Sequence, residues 1–226
     1  MSGKKLVELF YDVVSPYSWL GFEVLCRYSA AGVWNMNLKL KPFFLGGVMH
    51  ASGNQPPAMI PSKGDYMVHD LQRLREYMQV PINQPKDVAD VLFNKGSLQA
   101  QRFLTAVDMK YPQFTEALSR QLWMRIWSKD QDITKEESFR EAGRAAGISD
   151  DIINESLSHI KDQDVKDRLK QYTQEALDNG AFGAPTIVVH IDGKKKMIFG
   201  CDRFPILAMI LGEEWRGPLI GLKGKL

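Results

Sequence analysis

With 226 residues, 44% of them apolar and 25% charged, the chain can bury a sizeable core and is too apolar to stay disordered. Its 29 Lys and Arg against 27 Asp and Glu leave a net charge of +2, without the basic excess that nucleic acid binding needs. Two cysteines, Cys26 and Cys201, cannot build a disulfide framework, no apolar run reaches the ~20 residues of a membrane span, and the N-terminus lacks a signal-peptide core; a soluble, unsecreted protein in a reducing compartment is expected.

Leu6 to Phe10 reads as a short apolar strand and Asp12 to Ser15 as the turn that leaves it. Pro16 then opens a helix through Phe22, Leu25 and Cys26, because its ring presets the backbone and its missing N–H costs nothing at a first helical position. Ser15 is therefore the N-cap. Unpaired amides and the helix dipole make such a turn a place for an anion or a thiolate, so Ser15 either stabilises a ligand's sulfur or oxygen or simply caps the helix. Trp34 to Pro42 alternates apolar and polar residues, which predicts a second strand and hence a βαβ unit with parallel strands. Residues 43–64 lose periodicity and fill with Gly and Pro, which predicts a long loop in which Asn54 and Lys63 are the notable polar groups.

From Asp65 to Asn179 the patterning is helical throughout. Met67, Leu71, Leu74 and Met78 mark one helix ended by Val80-Pro81, and Val88, Val91 and Leu92 mark a short one closed near Gly96. Ser97 is the expected N-cap of the next, which buries Phe103, Leu104 and Val107 and stops at Pro112. Phe114, Leu118, Leu122 and Ile126 form a ridge flanked by Trp123 and Trp127, read as core packing rather than a ligand wall. Thr134 with Glu137 predicts a capping box for a helix ending at Ala146-Gly147. Ser149, Asp150 and Asp151 open another helix, and a last one runs from Val165 to Leu177 before Asn179-Gly180. His50, His69, His159 and His190 are scattered and lack zinc-binding spacing, so each reads as structural or exposed and no metal is expected.

The final residues return to α/β. Ala184-Pro185 leads into a β-branched strand, Thr186 to Ile191, then a hairpin pair Asp192-Gly193 and a strand from Lys196 to Gly200. Cys201-Asp202-Arg203 precedes a helix from Phe204 to Leu211, with Asp202 as its expected N-cap.

Assembled, this order resembles an α/β thioredoxin-like domain interrupted by an all-helical insertion, as in the DsbA-like oxidoreductases. Residues 1–64 and 180–226 would form the thioredoxin-like domain and 65–179 the helical insertion. Ser15-Pro16-Tyr17-Ser18 stands where those proteins carry Cys-x-x-Cys, and Ala184-Pro185-Thr186 looks like their cis-proline strand start. Serines cannot run a thiol–disulfide cycle, so the sulfur must come from the ligand. Phe10-Tyr11-Asp12-Val13 followed by Ser15 to Gly21, Lys95 to Leu98 with Arg102 to Leu104, and Gly180 to Gly183 with Pro185 resemble the kappa-class glutathione transferases along essentially the whole chain. Gly200-Cys201-Asp202-Arg203 is similar to the Gly-Ser-Asp-Arg of that class.

The resemblance implies glutathione as cosubstrate, a small hydrophobic electrophile as second substrate, reduction of hydroperoxides as a further reaction, and a homodimer; the near-neutral charge and the lack of a membrane-length apolar run leave no nucleic acid or membrane partner expected. It implies that Ser15 bonds the glutathione sulfur with help from the main chain of Pro16 and Tyr17, and that Asn54 and Lys63 hold the glycyl end. Ala184, before Pro185, would pair with the cysteinyl backbone, while the amide of Cys201 and the carboxylate of Asp202 would receive the γ-glutamyl group. Ala184 and Cys201 depart from the leucine and serine expected there; the second trades a hydroxyl contact for an oxidisable thiol. Two other readings stand beside the transferase: a glutathione-dependent isomerase of the 2-hydroxychromene-2-carboxylate type, and a non-catalytic thioredoxin-like chaperone or binding module. The last three residues, Gly224-Lys225-Leu226, are similar to a Ser-Lys-Leu peroxisomal address, and mitochondria are the other location the class implies.

Overall fold

The computed structural model describes residues 3–222; the Gly224-Lys225-Leu226 address lies outside the described residues. Strand β1 (Lys5–Tyr11) lies at the centre of a four-stranded sheet of order β2-β1-β3-β4, with β2 at Met36–Pro42, β3 at Thr186–Ile191 and β4 at Lys194–Phe199. β2 runs parallel to β1, while β3 is antiparallel to both β1 and β4. Helix α1 (Pro16–Ala30) is the crossover, and its faces are apolar almost all round, so it is sunk in the core.

The pleat of β1 sends Val7, Leu9 and Tyr11 to one face and Phe10 to the other. The first face packs on α1, on α9 (Phe204–Leu211) and on helices α4 (Leu98–Lys110) and α5 (Thr115–Trp127). The second meets α2 (Leu45–Ser52) and α8 (Gln163–Asp178) through Val48, Tyr172 and Ala176. The remaining helices, α3 (Pro61–Met78), α6 (Glu136–Ala145) and α7 (Asp150–His159), complete the block between β2 and β3. Sheet and helical block share one continuous core, with Trp123 of α5 in contact with the rings of Tyr11, Trp19 and Phe22.

Several expectations are corrected. β2 begins at Met36, because Trp34 turns away to pack between Tyr28 and Trp215 and donates its indole N–H to the Glu214 carbonyl at 2.9 Å. Residues 43–64 are not a loop: they hold α2, a 3₁₀ turn at Pro57–Met59 and the first turn of α3. The glycines there serve close packing, since a Cβ at Gly46 would sit 2.8 Å from the Phe44 ring and one at Gly47 would sit 3.3 Å from the Thr173 methyl. Residues Asp90–Lys95 form a π-helical turn. The Thr134–Glu137 capping box is not made; the Asp132 carboxylate takes the amides of Thr134 and Lys135 and the Ser138 hydroxyl instead. β4 starts at Lys194, two residues early, because Asp192 (φ 50°) and Gly193 (φ 73°) close the tightest hairpin loop.

A buried charge cluster crosses the second face of the sheet. Lys41 Nζ lies 2.5 Å from carboxylate oxygens of both Glu8 and Glu175, and His190 Nε2 lies 2.7 Å from Glu8. The Lys41 ammonium also stands over the rings of Phe10 and Tyr172. His159, by contrast, pairs with Asp162 on the surface.

Candidate active site

The turn from β1 into α1 is built as its sequence predicts. Ser15 has extended backbone angles, Pro16 takes the first helical position, and the Ser15 hydroxyl oxygen accepts the Ser18 amide at 3.1 Å. The Tyr17 amide has no protein partner among the described residues, so it points a free donor at the same helix end. Beneath the turn, the Trp123 indole donates to the Ser15 carbonyl at 3.1 Å and the Trp127 indole to the Val14 carbonyl at 3.2 Å. The two tryptophans are core residues, as read, but they also fix the direction of this turn.

The turn opens into a cleft of about 890 Å³, within the range of small-ligand sites. Ser15, Pro16, Tyr17, Asn54, Lys63, Ala184, Cys201 and Asp202, contributed by widely separated segments, all line it. Pro185 does not: it stands behind the wall, where a Cβ on Gly21 of α1 would lie 3.3 Å from its ring. The Ala184-Pro185 peptide is cis, and neither backbone group of Ala184 has a protein partner among the described residues. The Pro185 carbonyl accepts the Gly200 amide at 3.0 Å, tying the end of β4 to this segment.

Gly200 has φ 96°, and a Cβ there would meet Asp202 Oδ1 at 2.8 Å, so only glycine fits. Asp202 is not the N-cap of α9; that position is Arg203, and the exposed Asp202 carboxylate pairs with the Arg203 guanidinium at 2.7 Å. Cys201 is buried, and burial, with the neighbouring carboxylates of Asp202 and Asp70, pushes its thiol up to about 12. Asn54, just beyond α2, donates its side-chain amide to the Phe182 carbonyl at 2.7 Å. Lys63, in the first turn of α3, is exposed at the cleft and makes no ion pair among the described residues.

Two acidic residues escaped the sequence reading. Asp70 of α3 lines the cleft and accepts the Tyr17 hydroxyl at 2.9 Å; burial and then this carboxylate hold the Tyr17 phenol protonated. Asp12, read only as a turn residue, is fully buried and receives the amides of Val14 and Leu45 and the Ser97 hydroxyl. Ser97 thus spends its hydroxyl on Asp12 and not on capping α4. The i, i+3 helical pattern of α3 could have placed Asp70 on the face of Met67 and Leu74, but nothing local marked Asp12. Met49, Met67, Leu74, Leu92 and Phe93 make much of the remaining wall apolar, and the Phe182 and Phe199 rings meet there at a tilt of 39°, with centroids 4.4 Å apart.

Chemically, the site offers a hydroxyl and a free amide at a helix N-terminus, unpaired backbone groups at Ala184, one lysine, two carboxylates, and an apolar remainder. A short peptide with an anionic sulfur matches that set. Among the described residues no group of three or more His, Cys, Asp or Glu comes together to hold a metal ion.

Comparison with known proteins agrees with this outline. The family model of the DSBA-like thioredoxin domain matches residues 6–212. The chain is 50% identical over 215 residues to glutathione S-transferase kappa 1 of Homo sapiens, covering 95% of this chain and 94% of that protein. It is 35% identical over 224 residues to glutathione S-transferase kappa 2 of Caenorhabditis elegans, covering 97% of each. Among solved structures, a 2-hydroxychromene-2-carboxylate isomerase superposes with a TM-score of 0.73 at 20% identity, over 92% of this chain and 94% of that one.

Proposed function

The chain belongs to the kappa class of glutathione S-transferases, within the DsbA-like thioredoxin-domain family, and from that premise we propose that the cleft binds glutathione and attacks small hydrophobic electrophiles with its thiolate. One observation carries the reading: eight of the nine residues expected to hold the tripeptide, all but Pro185, come from distant segments and line one cleft. Ser15 already accepts the Ser18 amide, which leaves its hydroxyl proton for the ligand sulfur, and the Tyr17 amide adds a second donor. Ala184 offers its unpaired backbone to the cysteinyl residue, Lys63 its cation to the glycyl carboxylate, and Asp202 its carboxylate to the γ-glutamyl ammonium. Asn54 steadies the wall between Lys63 and Phe182, the main chain of Cys201 serves the γ-glutamyl end, and Pro16 and Pro185 shape the backbone on either side.

Thiolate stabilisation is only part of the rate. A thiol of pKa ~8.5 is about 3% ionised at pH 7, and lowering it to ~6.5 raises that to about 75%, roughly 25-fold. With a Brønsted slope of ~0.45, the two lost units of basicity cost about 8-fold in nucleophilicity. The net gain of about threefold leaves most of the acceleration to holding the electrophile against the sulfur, which the apolar wall does.

The isomerase likeness, at 20% identity, carries the fold alone. A homodimer and a peroxisomal or mitochondrial location complete the proposal, to be read from sedimentation and from imaging of the full chain. Ser15→Ala tests the core of it: glutathione binding by calorimetry should persist while conjugation of a chloronitroaromatic falls. Unchanged turnover would remove Ser15 from the chemistry. Hydroperoxide reduction with the same variant tests the second reaction.

A further inference from the structure

Three walls of the cleft meet on one buried carboxylate. Asp12 Oδ1 accepts the Val14 amide at 3.0 Å, and its Oδ2 accepts the Leu45 amide at 2.9 Å and the Ser97 hydroxyl at 2.8 Å. Val14 begins the Ser15 turn, Leu45 is the first residue of α2, which leads to Asn54, and Ser97 precedes α4; all three line the cleft. We propose that Asp12 is a positioning residue for the glutathione site, its ionised carboxylate setting the spacing of the Ser15 turn, α2 and α4, so that its protonation loosens the grip on glutathione.

The argument is one of donor counting. An ionised carboxylate is an acceptor only, and three donors are aimed at it. Protonation places a fourth donor, an O–H, among them; the Ser97 hydroxyl can rotate to accept it, but then one contact that held α4 to the turn changes sign, while the two backbone amides cannot turn at all. Burial pushes the Asp12 carboxyl up to about 6 against the pull of the Leu45, Val14 and Ser97 bonds, so the change falls close to neutrality. No charged side chain contributes to that value. The groups around it are neutral: Gln101 of α4 donates to the carbonyls of Tyr11 and Phe43, and Trp127 of α5 donates to Val14. This inference rests on the glutathione reading of the cleft.

The test uses S-methylglutathione, whose capped sulfur has no proton to lose, titrated into the full chain by calorimetry between about pH 7.5 and about pH 5. Wild type should bind about fivefold more weakly at the acid end, with the midpoint near the Asp12 carboxyl. Asp12→Asn should bind weakly with a flat profile, and Ser97→Ala, which removes a single donor, should move the midpoint to higher pH. A purely structural Asp12 would not shift that midpoint. Binding with a flat wild-type profile, or a midpoint unmoved by Ser97→Ala, overturns the proposal and leaves the glutathione site standing. No binding at any pH overturns both. If Asp12→Asn does not fold, the Ser97→Ala midpoint decides.

Discussion

Replacing Lys41 by Met isolates the charge at the heart of the second core, because the new side chain keeps an unbranched stem against the rings of Phe10 and Tyr172. Glu8 is 5% exposed and Lys41 6%, so the ammonium cannot be replaced by bulk water. Removing one partner of a buried ion pair costs ~3–5 kcal/mol, since it strands the other charge. Glu8 keeps His190 at 2.7 Å and Glu175 is partly solvated, so the lower end, about 3 kcal/mol, is expected. For a chain of this size that lowers the melting temperature by about 6–12 °C. The pH dependence gives a second reading. Burial raises the Glu8 carboxyl, but the hydrogen bonds from Lys41 and His190 outweigh it and leave the folded value below the ordinary 4.5. The group therefore adds stability in full above its unfolded pKa and loses it as pH falls through the lower folded value. Without Lys41, burial dominates, Glu8 shifts the other way, and acidification relieves it. Urea unfolding of both proteins from about pH 7 to about pH 4 should show a gap that narrows on acidification. A loss under about 1 kcal/mol at neutral pH, or a gap that does not narrow, would refute the reasoning. Pairing the substitution with Glu8→Gln should recover most of the loss.

Other outcomes follow from the cleft. Trp127→Phe keeps a buried ring but removes the only side-chain donor to the Val14 carbonyl among the described residues, which should cost ~1–3 kcal/mol in urea unfolding and lower conjugation through the displaced Ser15 turn. Cys201, with its thiol held up to about 12, should react with iodoacetamide at about pH 8 roughly a hundredfold more slowly than free cysteine, as followed by mass spectrometry. Cys201→Ser should leave conjugation intact; rapid labelling or a lost activity would contradict the inert assignment. Asp202→Ala should weaken glutathione binding by about tenfold in calorimetry, the worth of one charge-assisted hydrogen bond.

What the sequence made legible is what local physics controls. Pro16 after Ser15 announced the helix start, Gly212 closed α9 where the apolar run ended, and the alternation of β1 and β3 placed their faces. Motif likeness then located eight cleft-lining residues that no spacing rule connects. Failures arose where distance intervened. Gly46 and Gly47 look like loop residues until Phe44 and Thr173 are seen to need their missing side chains. Lys41 falls on the polar side of its strand's alternation, yet Glu8 and Glu175 draw it inside. Asp132 outcompetes Thr134 for the start of α6 because its Oδ1 alone reaches three donors at once. Asp12 is the extreme case: its partners lie 2, 33 and 85 residues away.

The tryptophan pins have a consequence for the order in which the protein comes to exist. Trp123 and Trp127 lie 108 and 113 residues beyond the carbonyls they hold, so the nascent Ser15 turn leaves the ribosome without its supports. At ~5–20 residues per second, those supports are synthesised roughly 5–20 s later, and Ala184 later still. The N-terminal βαβ unit can pair its strands early, but the Ser15 turn matures only once α5 has docked. Completion of the cleft is thereby reserved for nearly finished chains, and the docking of α5 becomes the clock for the site.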